Sequence, residues 1–385
     1  MTPNRILLEL LKGGLHTDYI PHIETASPED WETAFQLAET NTILGLTFWG
    51  ASKLQAKQRP PQPLYTRWLA KTTQINALNK RIDRTATAIF RRFDEQNLNV
   101  VIMKGQAVAR YYPKPELRQP GDIDIYSDED NYPRVEKILT ALSQDQRERE
   151  KYLTIKFGGV TLNNYHGLHF KFVVSGVLVE SHGVMFSHIS PKHQKEFDHL
   201  LSLWYPNHIR RINLSEGSVR TLPIWFDCIF ILAHLFRHFI QEGVGLRQVS
   251  DWLMVARQIA HAPDLDREQL ARNLDSVGLL PMARLLCGFA IHYMAFPPQD
   301  MPLEPLDNDK MERQVVYDII TGGNWGKQRI HRPEGNIRGS WYFFRYFCER
   351  CKRYRSLSPD ELSHPVLYKL KQKFLMPLVF KKTKF

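Results

Sequence analysis

Residues 121–130 read Gly-Asp-Ile-Asp-Ile-Tyr-Ser-Asp-Glu-Asp, placing Asp122 and Asp124 one residue apart in an apolar, β-favouring run. Side chains alternate faces along a strand, so a strand here aims both carboxylates at the same side. Like charges held that close are costly unless a cation or a solvated turn relieves them. Two other stretches bear on the choice. Lys104-Gly105 follows the apolar run Asn99-Val-Val-Ile-Met103, so a buried strand feeds a turn whose backbone N–H groups can hold phosphate oxygens. Glu180, in Val177-Leu-Val-Glu-Ser-His182, supplies a third carboxylate if its strand lies beside that of the aspartates. Three carboxylates beside a phosphate-holding turn suit hard divalent cations, Mg²⁺ above all. Two such ions, about 3.5–4 Å apart, activate an attacking hydroxyl and neutralise a leaving pyrophosphate.

The surrounding pattern supplies the elements that must position these groups. Ser27-Pro28-Glu29-Asp30 is an N-cap followed by an acidic first turn, and a second helix is expected from about Gln62 to Gln96, after the break Arg59-Pro-Pro-Gln-Pro63. Gln106–Tyr112 makes a short helix. Pro113, Pro115 and Pro120 then break the chain before the strand that carries Asp122 and Asp124. An amphipathic helix over Asn131–Gln144 precedes three strands, at 151–157, 169–174 and 177–182, with Ser175-Gly176 as the hairpin turn between the last two. From Pro223 onward the pattern is helical, with Gly243-Val244-Gly245 joining two helices and others expected at about 267–276, 279–295, 308–321, 340–356 and 364–376. The expected class is α+β, a small mixed-sheet domain over 97–190 flanked by a helical region over 1–96 and a helical domain over 191–385.

Bulk properties narrow the class. A chain of 385 residues is long enough for two or three units with their own cores. No run of about eighteen apolar residues occurs, and Glu9 and Lys12 interrupt the apolar stretch near the start, so neither a membrane span nor a signal peptide is expected. Cys228, Cys287, Cys348 and Cys351 form no secreted disulfide framework, and a cytoplasmic protein is the plain expectation. Cys348 and Cys351 read as two half-buried thiols on one helical face, with no second Cys or His pair at ligand spacing nearby. The net charge of +10 suits a polyanionic partner, whether a nucleoside triphosphate, RNA or a membrane surface.

The stretch from Val101 to Tyr126, taken with His169–His182, resembles the DNA polymerase β-type nucleotidyltransferase superfamily. More narrowly, it is similar to the bacterial family of uncharacterised nucleotidyltransferases. The shared pattern is an apolar strand, Lys104-Gly105, Tyr112-Pro113, Arg118, Asp122-x-Asp124, then a strand ending Glu180-x-His182. A second signature falls on His234, His238, Gly243, Gly245, Arg247 and Asp251, with an echo in Thr321-Gly-Gly-Asn-Trp-Gly326. The resemblance covers about residues 95–330. It implies a Mg²⁺-dependent enzyme that moves a nucleoside monophosphate from an NTP, ATP among them, to an acceptor hydroxyl and releases pyrophosphate. Asp122 and Asp124 would coordinate both metals. Glu180 would bind the catalytic metal and help accept the hydroxyl proton, and Gly105 would contact the triphosphate. The superfamily turn usually reads Gly-Gly or Gly-Ser. With Gln106 at the second position, an amide or backbone contact replaces the hydroxyl.

Other residues carry more than one reading each. Lys104 either snorkels from a strand end or stands beside phosphate. Arg118 is simply solvated, pairs with Asp122 or Asp124 in the metal-free state, or contacts the triphosphate. His166, His169 and His182 cluster near the meander and read as packed or hydrogen-bonded residues. Arg247 and Asp251, four apart, make an intrahelical salt bridge, or Arg247 reaches a phosphate from a helix pair walling the cleft. His234 and His238 lie one turn apart without a third zinc ligand at matching spacing. The terminal Phe374–Phe385 alternates apolar and basic blocks, interrupted as a helix by Pro377, and reads as a packed end rather than a membrane contact. One alternative to the enzyme is carried, a non-catalytic module that binds nucleotide or RNA; within the enzyme reading, a toxin-type nucleotidyltransferase acting on tRNA stays open. The acceptor, whether RNA, a protein or a small molecule, the NTP base preference and the oligomeric state are not legible.

Overall fold

The apolar run ending at Met103 forms the middle of a six-stranded mixed sheet. The computed structural model describes residues 1–143, 154–157, 160–163, 169–188, 190–323 and 336–363. Strand β1 (Val101–Met103) is buried at every position. It pairs antiparallel with β2 (Ile123–Tyr126) and parallel with β8 (Gly217–Thr221), and a strand flanked on both sides needs a continuous apolar run. Strand β2 pairs in parallel with β6 (Val177–His182), and β6 forms a hairpin with β5 (His169–Val174). Ser175 and Gly176 take φ of +51° and +70°, the left-handed pair that a two-residue hairpin turn requires. Strand β7 (Arg210–Leu214) closes the other edge against β8, giving the order β5-β6-β2-β1-β8-β7. Strands β3 (Thr154–Phe157) and β4 (Val160–Asn163) form a separate antiparallel pair.

The chain divides into two compact units that interleave along the sequence. One comprises residues 1–78, 108–119 and 228–363; the other holds 79–107 and 120–227. The sheet unit therefore extends past the expected boundary at 190, because the hairpin β7–β8 belongs to it. Its core includes Phe90 and Phe93 from helix α4 (Gln62–Glu95), Val135 and Leu139 from α6 (Tyr132–Leu142), and Phe197 from α7 (Pro191–Trp204). A further short helix, α5 (Gly105–Ala109), follows β1 directly.

The other unit is helical. Helix α1 (Pro3–Leu15) crosses α3 (Leu44–Ser52) so closely that a Cβ on Gly14 or Gly50 would run into the Leu46 or Leu10 carbonyl oxygen. Helix α2 (Pro28–Thr40) starts as expected, with Ser27 and Asp30 forming a reciprocal capping box. The turn after it holds Thr42 at φ +55° and separates α2 from α3. Helices α8 (Ile224–Gln241), of which residues from Cys228 belong to this unit, and α9 (Leu246–Ala260) flank the Gly243–Gly245 link. Then follow α10 (Arg267–Ser276), α11 (Leu280–Met294), α12 (Asp309–Gly322) and α13 (Asn336–Arg353), which carries the buried Cys351. The helix expected at 364–376, the terminal blocks, His166 and residues 324–326 lie outside the described residues.

One helix bears on the expectation that no segment spans a membrane. Among the described residues, α8 is long and apolar enough to cross a bilayer by length and composition, with a mean hydropathy of 1.2 over 18 residues. Some 67% of that window is buried inside the fold, the pattern of a core helix.

Candidate active site

The sheet register decides which carboxylates meet. In the parallel pair β2–β6, Asp124 stands opposite Glu180 and Tyr126 opposite His182. Alternation puts Glu180 and His182 on one face of β6, two residues apart, as Asp122 and Asp124 are at the start of β2. Two chain segments more than fifty residues apart in sequence thus bring their acids together. Strand β5 adds Lys171 opposite Glu180, with Nζ 2.6 Å from Oε1.

Asp124 is the most enclosed of the group, its side chain 3% exposed. Its Oδ2 lies 3.0 Å from Lys104 Nζ and its Oδ1 3.0 Å from His182 Nε2. His182 Nε2 also stands 4.0 Å from Glu180 Oε2. Burial alone would raise the Asp124 carboxyl, but the Lys104 ammonium and the His182 hydrogen bond prevail and hold it well below the usual range. Asp122 goes the other way, pushed up to about 6 by burial, then by the neighbouring Asp124 and Glu180 charges, against the opposing pull of Lys104. One ligand atom each from Asp124, Glu180 and His182 lie within 4.8 Å of one another. Two carboxylates and an imidazole at that spacing fit a divalent cation, with Asp122 close enough to feel their charge.

The turn before this site is strained at a residue that seldom accepts it. Lys104 has φ +43° and Gly105 φ +45°, both left-handed. Glycine takes that conformation freely, whereas lysine pays in strain. The Lys104 carbonyl accepts a hydrogen bond from Ala107 N at 2.8 Å, which closes the turn into α5.

Three residues expected at a nucleotide are engaged elsewhere. The Gln106 side chain is buried, and its amide donates to Asp83 Oδ1 on α4, whose Oδ2 accepts from Ser215 N and Oγ at 3.1 and 2.7 Å. The amide contact expected to replace a phosphate-binding hydroxyl is therefore a tie between α4, the turn after β1 and the β7–β8 hairpin. Arg118, expected at a triphosphate or beside Asp122 or Asp124, belongs to the helical unit. There it forks onto Asp251, with Nε–Oδ1 2.6 Å and Nη2–Oδ2 2.7 Å, and Tyr112 OH donates to the same Oδ1 at 2.8 Å. Asp251 thus has a different partner from the Arg247 that the helical spacing suggests. Arg247 Nη1 donates to Gln119 O at 3.3 Å, in the same unit. His238 bridges His234 and Glu242, with contacts of 3.2 and 3.0 Å.

A family model described as "Uncharacterised nucleotidyltransferase" matches residues 27–295, well over half of the chain. The chain belongs to that nucleotidyltransferase family. The matched span opens on the N-cap of α2 and contains every residue of both signatures from Lys104 to Asp251. No curated protein matches the chain. The chain is also similar to the crystal structure of an antigenic nucleotidyltransferase-like protein from Paracoccidioides brasiliensis. That match has 15% identity and a TM-score of 0.32, and covers 56% of this chain and 93% of that one. Within the candidate site, sequence reasoning undervalued His182 and left out Lys171. The spacing Glu-x-His was the available signal, since two residues apart on a strand means one face. Nothing local marked Lys171, which depends on hairpin register.

Proposed function

We propose that this nucleotidyltransferase, of the DNA polymerase β-type superfamily, moves a nucleoside monophosphate from an NTP to an acceptor hydroxyl and releases pyrophosphate in a Mg²⁺-dependent reaction. The observation that carries the reading is the register of β2 against β6, which sets Asp124 and Glu180 side by side with His182 within ligand distance. Asp122, Asp124 and Glu180 would hold two Mg²⁺ ions, with His182 at the edge of the same set. Bound there, the ions supply Lewis-acid activation of the hydroxyl and charge neutralisation at the leaving pyrophosphate.

The chain's own groups do the remaining work. Lys104 and the backbone of Gly105 stand at the turn and meet the triphosphate. Glu180, beside Asp124 in the sheet and paired with Lys171, would help accept the proton of the attacking hydroxyl. The net charge of +10 favours a polyanionic acceptor such as RNA over a neutral small molecule.

The test is to incubate the protein with labelled NTPs and Mg²⁺ or Mn²⁺, alone and with cell RNA, and to follow pyrophosphate release and label transfer. Asp124→Ala is expected to lower transfer by about a thousandfold or more while the protein keeps its fold. Undiminished transfer by a folded Asp124→Ala protein would rule the mechanism out, and binding of NTP without pyrophosphate release would favour a non-catalytic module.

A further inference from the structure

Both carboxylate oxygens of Asp124, the residue assigned above to the metals, already meet cations or donors of the same chain. Lys104 Nζ stands 3.0 Å from Oδ2 and His182 Nε2 3.0 Å from Oδ1. Glu180 has a cation of its own in Lys171, 2.6 Å away. A buried carboxylate is held in place by such partners, and an incoming metal must compete with them. Of the two on Asp124, Lys104 is the one with somewhere to go. Its side chain keeps 23% of its surface exposed, against 17% for His182 and 3% for Asp124, and its four-carbon stem, unlike the short imidazole of His182 on β6, can carry the charge to an arriving anion. Its backbone is held at φ +43° beside Gly105 at +45°, strain that places the side chain at the phosphate-binding turn and over the carboxylate at once. Lysine is also the suitable residue, a compact point charge on a flexible stem that can exchange one oxyanion for another.

We propose that Lys104 is a resident counter-ion that blocks the metal position on Asp124 until a triphosphate draws its ammonium away, so that metal and nucleotide load together. The inference rests on the proposed function and deepens it, since it makes the metal–nucleotide complex, rather than the free metal, the species that enters the site. Free metal alone meets a position occupied by a like charge. The complex would offer Lys104 phosphate oxygens in exchange for Asp124, whose vacated oxygen would then hold the metal. Coupling of this kind is reciprocal, so bound metal tightens nucleotide by the same factor as nucleotide tightens metal.

The test uses Mn²⁺ as the probe, with free Mn²⁺ followed by electron paramagnetic resonance during titration of the whole protein. In the nucleotide-free state Lys104→Met, which keeps the stem and loses the charge, is expected to bind Mn²⁺ at least about tenfold more tightly than the parent. A non-hydrolysable NTP is expected to tighten Mn²⁺ binding by about tenfold or more in the parent and by less than about threefold in Lys104→Met. Mn²⁺ binding that is unchanged or weaker in a variant whose thermal melt is intact overturns the inference. Lys104→Gln serves if the methionine variant fails to fold, and the parent alone still decides, because Mn²⁺ affinity indifferent to nucleotide also overturns it. The outcomes separate from those of the proposed function. Pyrophosphate release by a parent with no metal–nucleotide coupling keeps the function and removes the counter-ion. Tighter Mn²⁺ binding by Lys104→Met without any transfer by the parent keeps the competition on Asp124 and removes the function.

Discussion

Asp122 and Asp124 are two residues apart and are shifted in opposite directions by their surroundings. Asp124 is enclosed by Lys104 and His182. Asp122 meets burial and the charges of the other two acids, and is pushed up to about 6. A carboxyl raised above its unfolded value of 3.8 contributes stability that is fully present below that value and is lost as pH climbs through about 6. The metal-free protein should therefore lose stability between pH 4 and 6 at this residue, and Asp122→Asn, which never ionises, should keep it. In EDTA the variant is expected to exceed the parent by about 3 kcal/mol at pH 8 and to match it near pH 4, as urea midpoints would read. A variant less stable than the parent at pH 8 would contradict that account. At this scale the sequence was informative where chemistry depends on alternation, as with Asp122, Asp124, Glu180 and His182. It was uninformative where a side chain's partner comes from a distant segment, as with Gln106 and Asp83.

Among elements, the connection between β1 and β2 stands out, because its residues 108–119 belong to the helical unit while both ends belong to the sheet unit. Its anchor in the helical unit is the fork from Arg118 to Asp251, joined by the Tyr112 hydroxyl. Arg118 and Asp251 are 4% and 8% exposed at their side chains, so neither charge has bulk solvent to fall back on. Removing one partner leaves the other buried and uncompensated, and Asp251→Ala should cost about 3–5 kcal/mol. Arg118→Met with Asp251→Leu removes both charges and should recover most of that loss, measured by denaturant midpoints. A double variant as unstable as the single one would mean that the pair is not the anchor. The elements legible in sequence were those with caps, breakers or clean period, such as α2 with Ser27 and Asp30, and the β5–β6 hairpin at Ser175-Gly176. The β7–β8 hairpin is not legible in the sequence, because Arg210, Arg211 and Arg220 interrupt its apolar positions. Its buried positions, Ile212, Val219 and Thr221, are spaced among charged and polar residues, and Ser215-Glu216-Gly217 carries the turn. A period of two was present beneath the charge.

The whole molecule does not follow the three consecutive segments that its composition suggests. Segment 97–190 contains β1, β2, β5 and β6, but the rest of the sheet unit comes from chain on both sides of it. Upstream, α4 brings the buried Phe90 and Phe93 and the Asp83 tie to Gln106. Downstream, α7 brings Phe197, and β8 covers the open edge of β1, where Thr221 Oγ1 donates to the Ile102 carbonyl at 3.0 Å. Without these, a three-residue strand that is buried at every position becomes an edge with unpaired backbone and an apolar surface. A fragment of 97–190 is therefore expected to aggregate or to show no cooperative thermal transition by circular dichroism. A fragment of 79–227 carries all six strands, both halves of the Gln106–Asp83–Ser215 tie and the phenylalanines, and should unfold cooperatively. The comparison tests the interleaving itself, since a consecutive domain at 97–190 would make the shorter fragment fold as well as the longer one. In the longer fragment residues 108–119 lose Asp251, so Arg118 becomes an exposed cation in a loose loop, and that change should alter protease sensitivity there without removing the transition.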